Sequence, residues 1–121
     1  MRLKMEGLDI IDYTGDGYKP AMVFESWRVA FLNYADHFDK ITKLERHMVT
    51  DEVFMLLEGE ATLYIGLEKT PIAMEKHKVY NVKKGIWHNI KVSKDAKVFI
   101  VENDNTTYDN SEYIELDEPL Q

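Results

Sequence analysis

The chain has 121 residues, no cysteine, and 15 basic against 22 acidic residues, for a net charge of −7. That length suits one domain able to bury about two-thirds of its surface without disulfides or a structural metal. The lack of cysteine excludes disulfides, iron–sulfur clusters and thiol nucleophiles and fits a reducing cytoplasm. An acidic chain without a basic patch argues against nucleic acid and anionic membranes as partners. No apolar run approaches the roughly eighteen residues of a membrane helix, and the start, Met1 to Glu6, lacks the apolar stretch of a signal peptide. The expectation is a soluble, cytoplasmic protein.

Apolar residues recur with period two in short runs rich in β-branched and aromatic side chains, which predicts strands. In chain order these runs are 21–24, 27–34, 41–47, 53–58, 61–65, 71–75, 79–82, 86–92 and 97–102. Turn residues separate them at Asp16-Gly17, Ala35-Asp36, Glu58-Gly59-Glu60, Lys84-Gly85 and Ser93-Lys94-Asp95. Residues 103–110 are polar and read as a loop. Behind them comes an acidic C-terminal extension holding Glu112, Glu115, Asp117 and Glu118. Many short strands at regular spacing predict an all-β sandwich or barrel. Residues 1–34 read as N-terminal strands and 35–121 as the barrel with its extension.

Alternation brings candidate chemistry together. Glu45 and His47, two apart on one strand, face the same way. Glu52 opens the next strand after the turn at Val49-Thr50-Asp51, where Thr50 and Asp51 read as turn residues. Further on, Ile86, His88 and Ile90 share a face, with Trp87 and Asn89 on the other. A histidine between isoleucines on an inward face needs a partner, because an unpaired buried polar group is costly. A metal or a carboxylate would supply it. His47, Glu52 and His88 form a two-histidine, one-carboxylate set that suits manganese, iron, cobalt, nickel or zinc with positions left for substrate. Glu45 has three readings: a further ligand, a general base beside the metal, or a bystander paired with Arg46 or a lysine. His37 and His77 read as surface residues in turns. Gly59 supplies the positive φ of a hairpin turn. Phe31, Met55 and Phe99 are expected to line the wall of a small-molecule pocket, and Met48 either fills space or lines it.

In these residues the sequence resembles the cupin superfamily, in particular its small single-domain, cupin-2-like members. The first cupin motif, G-x5-H-x-H-x3-4-E-x6-G, is matched in its second half by His47, Glu52 and Gly59. The centre of the second motif, G-x5-P-x-G-x2-H-x3-N, is matched by Gly85 and His88, and the similarity runs from Asp39 to Val101. The departures are Asp39 for the first glycine, Glu45 for the first histidine, His77 for the next glycine, Lys83 for the proline and Val92 for the asparagine. The resemblance implies a double-stranded β-barrel of jelly-roll type and a homodimer joined through the edge strands of residues 1–34. It also implies a divalent metal (manganese, iron, zinc or nickel) held by Glu45, His47, Glu52 and His88. On that reading the protein is a metalloenzyme of isomerase, lyase or dioxygenase type acting on a small polar or sugar-like metabolite, with Glu45 moving a proton. Replacement of the first histidine, the proline and the asparagine keeps a second reading open, a non-catalytic module that binds or senses a small molecule with or without metal.

Overall fold

A computed structural model describes residues 2–120. The strands are β1 (Arg2–Met5), β2 (Leu8–Ile11), β3 (Gly17–Phe24), β4 (Trp27–Asn33), β5 (Ile41–His47), β6 (Glu52–Glu58), β7 (Ala61–Ile65), β8 (Thr70–Ala73), β9 (Tyr80–Val82), β10 (His88–Val92), β11 (Lys97–Asn103) and β12 (Ser111–Leu120). A 3-10 turn, Asp36–Phe38, precedes β5. No helix among the described residues is long and apolar enough to cross a membrane.

Strands β1 and β2 form a ribbon of their own, and the other ten make two antiparallel sheets. The first runs in the order β12-β5-β10-β7-β8, the second β3-β4-β11-β6-β9. Alternation is cleanest in β6 and β11, where every second residue is buried. Ala30, Leu32, Phe54, Leu56, Val98 and Ile100 of the second sheet thus meet Leu63, Ile90 and Val92 of the first in one apolar core. The expected all-β jelly roll is what the chain adopts.

Several elements differ from the sequence expectation. Strand β3 begins at Gly17 and pairs with β4 at the edge of the second sheet. Ala30 and Leu32 of β4 are core residues, packed with those of β6 and β11. Strand β10 starts at His88, which leaves Ile86 in the preceding turn and 41 % exposed, no longer in register with His88 and Ile90. The acidic C-terminal segment is a ten-residue strand, β12, along the edge of the first sheet. Its charges fit there, since charged side chains and proline discourage further strand pairing at an edge. All three prolines of the chain, Pro20, Pro71 and Pro119, fall in the edge strands β3, β8 and β12, where a missing N–H removes no ladder bond a neighbour needs.

Two glycines hold the turns that bring the site together. Gly59 has φ +74°, and a Cβ there would lie 2.6 Å from Ala96 Cα. Gly85 has φ +80°, and its N–H donates to the carbonyl of His47 at 2.8 Å, tying the turn before β10 to the end of β5.

Candidate metal and ligand site

The two sheets enclose a cavity of about 590 Å³. Into it β5 contributes Glu45 and His47, β6 Glu52, and β10 His88. Sheet register does the positioning: His88 is directly opposite Glu45 across the β10–β5 pair. One carboxylate and two imidazole atoms of Glu45, His47 and His88 lie within 4.8 Å of one another. Glu52 meets the two imidazoles through a single oxygen, its Oε1 being 3.1 Å from His47 Nε2 and 3.1 Å from His88 Nε2. The imidazole rings stand edge to face with centroids 5.4 Å apart, and Phe54 packs against His88 at 6.0 Å.

The outer nitrogen of each ring is engaged as well. His88 Nδ1 is 2.9 Å from the carbonyl oxygen of Ile86, so it must be the donor. His47 Nδ1 is 2.8 Å from Ser111 Oγ, whose one hydroxyl proton is given to the carbonyl of Thr107 at 2.8 Å. Ser111 can then only accept from His47. Both rings therefore carry their proton on Nδ1, and a neutral ring would turn a bare Nε2 lone pair toward the oxygen of Glu52. Lone pairs on both partners repel, so positive charge has to sit between them. Protons on both rings supply it, and so does one divalent cation.

The ionisation equilibria agree with that demand. Burial opposes the charge on Glu52, but hydrogen bonds from His47 and His88 outweigh it and hold the carboxyl well below its ordinary range. Burial alone would lower both imidazoles, yet the hydrogen bond and charge of Glu52 raise them. Glu45 is raised by burial and then by the charge of Glu52, against the pull of His88 and His47.

The chemistry of the donor set fits a divalent metal. Two imidazoles and carboxylate oxygens suit manganese, iron, nickel or zinc. A 3.1 Å separation between ligand atoms is what neighbouring positions around an ion with bonds of ~2.2 Å require. The hydrogen bonds from Nδ1 to Ser111 and Ile86 are of the kind that fix tautomer and ring orientation in metal-bound histidines.

No family model and no curated protein matches the sequence. Solved structures do match in shape. Streptomyces Pac13, described as a nucleoside dehydratase and also solved with uridine, superposes with a TM-score of 0.65 at 8% identity, over 96% of this chain and 85% of that one. A cupin-2 domain protein of Shewanella frigidimarina gives 0.58 at 19% identity over 74% of this chain and 84% of its own. The chain has the cupin fold. KdgF of a Halomonas species gives 0.57 at 10% identity, over 76% of this chain and 80% of that one.

Other residues fall into place around the cupin cavity. His37 is exposed at its rim, stacked on Phe38 with ring centroids 4.2 Å apart. His77 is an exposed turn residue with φ +66° whose N–H donates to the Leu56 carbonyl. Thr50 and Asp51 are turn residues: Thr50 Oγ1 accepts from the Asn103 N–H, and Asp51 accepts from the Lys84 N–H. Met48 is 42 % exposed, outside the cavity. Phe31, Met55 and Phe99 do not line the cavity either. They are in register with one another on the outer face of the second sheet, where Phe31 and Phe99 meet edge to face at 5.6 Å. The inward residues are their neighbours Ala30, Phe54 and Ile100, because an offset of one residue exchanges the two faces of a strand.

Sequence reasoning missed a second polar group in the same cavity. Arg28 Nη2 is 2.6 Å from Glu102 Oε1, which also accepts from the Tyr18 hydroxyl at 3.2 Å. Burial first, then the neighbouring Glu52 charge, push Glu102 up to about 7. The signal was faint but present: Glu102 interrupts an apolar strand at a position of the same parity as the inward-facing Val98 and Ile100.

Proposed function

We propose that the protein is a metal-dependent enzyme acting on a small polar or sugar-like metabolite, with His47, Glu52 and His88 holding a divalent ion and Glu45 beside it. The observation that carries this reading is the single oxygen of Glu52 set 3.1 Å from two Nε2 atoms whose rings are already committed as Nδ1 donors. Two protons could bridge those gaps only by charging two rings that face each other, whereas one cation serves both at once.

Bound there, the ion would act as a Lewis acid toward a substrate carbonyl or carboxylate oxygen. The chain's own residues do the rest. Ser111 and the Ile86 carbonyl keep the imidazoles aimed into the cavity. Glu45, the register partner of His88 on the neighbouring strand, would take a proton from substrate and return it, a role supported by the upward shift that burial gives its carboxyl. The buried apolar surface of Phe54, Ile90 and Ile100 limits water at the centre. That a protein of this fold is a nucleoside dehydratase supports an enzyme of lyase or isomerase type over a pure binding module.

The same reading places the protein in the cytoplasm as a homodimer joined through its N-terminal strands. Met22, Val23 and Phe24 on edge strand β3 and Trp27 at the start of β4 are exposed large apolar residues, which support such contact.

The deciding experiment is metal content by mass spectrometry on protein purified without chelators, alongside His88→Ala and Glu45→Ala. The expected result is a single equivalent of metal, absent in His88→Ala, with the response of Glu45→Ala separating ligand from base. Protein that takes up no manganese, iron, nickel or zinc when these are added overturns the metal centre and leaves a cupin that binds its small molecule without metal.

A further inference from the structure

Four buried side-chain polar atoms among the described residues lack a hydrogen-bond partner: Arg28 Nε, Asn33 Oδ1, Glu102 Oε2 and Thr106 Oγ1. Three of these four belong to residues that line the cavity beside the histidine centre. Glu102 is 5 % exposed and Thr106 7 %. The arrangement is otherwise well tied. Arg28 gives Nη2 to Glu102 Oε1 at 2.6 Å and to the Thr106 carbonyl at 3.4 Å, and Nη1 to the Asp104 carbonyl at 3.3 Å. Tyr18 gives its hydroxyl proton to the same Glu102 oxygen at 3.2 Å. The guanidinium is thereby fixed in place by both terminal nitrogens, and its Nε–H is left without a partner. On Glu102 the second oxygen has no donor, and the Glu52 carboxylate, whose charge opposes ionisation of Glu102, can bond to it only by sharing a proton.

Buried polar atoms in folded proteins are normally paired, so three orphans within residues of one cavity wall call for an occupant. Their chemistry selects it. Arg28 Nε–H can only donate, Glu102 Oε2 in its charged form can only accept, and Thr106 Oγ can do both. A hydroxyl group, which accepts one hydrogen bond while donating another, satisfies each of them. An anion would find the Arg28 donor but would also face the Glu52 and Glu102 carboxylates. An ammonium group has nothing with which to accept from Arg28. A cavity of about 590 Å³ is of the size that encloses a small ligand.

We propose that Arg28, Glu102 and Thr106 form a hydroxyl-binding subsite that takes the polyol part of a neutral, sugar-like ligand next to the histidine centre. This rests on the reading of the cavity as a small-metabolite site, and names the group by which that metabolite is held. Arg28 and Glu102 are in register across the β4–β11 pair, so the subsite is built on rigid strands.

The test is an NMR titration of metal-free protein that follows the Arg28 Nε–Hε signal, assigned by its disappearance in Arg28→Lys. The probes are D-ribose, D-glucose and myo-inositol, with inorganic phosphate and acetate as anions. At least one polyol should shift the signal saturably, and the anions should not. Thr106→Val should weaken that polyol about tenfold, the loss of a single hydrogen bond. A signal moved by phosphate or acetate, or by none of the polyols, overturns the subsite. The wild-type titration decides this even where a variant fails to fold. Metal content measured on the same wild-type preparation keeps the two readings apart: polyol binding without metal uptake leaves the subsite standing and removes the metal centre, while metal uptake without a polyol response does the reverse.

Discussion

Ser111 on β12 stands in register with His47 on β5, and its hydroxyl accepts the His47 Nδ1 proton at 2.8 Å while donating to the Thr107 carbonyl at 2.8 Å. An edge strand thus sets the tautomer of a histidine in the cavity. Ser111→Ala removes the acceptor and frees the ring to rotate or shift its proton to Nε2. Loss of a partner of this kind weakens metal binding about 10- to 100-fold. Titration with manganese or zinc against a competing chelator should show that drop with the thermal stability of the metal-free protein little changed. An unchanged affinity would remove Ser111 from the site.

Stability of the metal-free protein should depend on pH in a defined direction. His47 and His88 are raised above the ordinary value of 6.5, so their contribution is complete below that value and is lost as pH rises through the raised ones. Glu102, raised to about 7, acts in the same direction, since the folded state resists its ionisation above 4.5. Glu52 is depressed, so its contribution is present above 4.5 and fades only in strong acid. The melting temperature without metal should therefore be highest in mild acid, near pH ~5, and fall toward pH ~8. Added metal should reverse the upper limb, because a cation replaces the protons and its binding strengthens as the imidazoles deprotonate. A flat profile between those limits would count against the coupled histidine–glutamate geometry.

Gly59 should not tolerate a side chain. Its φ of +74° is strained for other residues, and a Cβ at 2.6 Å from Ala96 Cα meets backbone, which cannot swing away. Gly59→Ala should lose about 1–3 kcal/mol or more in denaturant unfolding. Gly7→Ala, with a similar positive φ but open space around it, should lose less.

Adjacent positions on β6 should behave differently toward ligand. Phe54 is buried, lines the cavity and packs on His88, whereas Met55 faces outward. Phe54→Leu should weaken any bound polyol or metal, as read by calorimetry, and Met55→Leu should leave both unchanged. Equal effects would mean that the face assignment of this strand is wrong.

Much of this was legible in the chain itself. Period-two patterning marks nine of the strands, and Gly59 and Gly85 mark turns on which the site depends, because strand alternation and positive φ are local properties. The spacing of His47, Glu52 and His88 also carried their convergence, since a short hairpin turn and a parity rule suffice for two of them. What required the tertiary structure was anything that depends on register between distant strands. The acidic segment 111–120 has no strong strand pattern of its own and becomes a strand by pairing with β5, 60 or more residues away along the chain in the Ser111–His47 and Glu112–Arg46 contacts. Phe31, Met55 and Phe99 face outward where alternation predicts a pocket wall, because a one-residue offset inverts a strand and nothing local fixes that offset when both faces carry apolar residues. The pairing of Arg28 with Glu102, 74 positions apart, was likewise invisible: a charge on a strand reads as solvent-facing until the opposite sheet closes over it and burial makes a partner necessary.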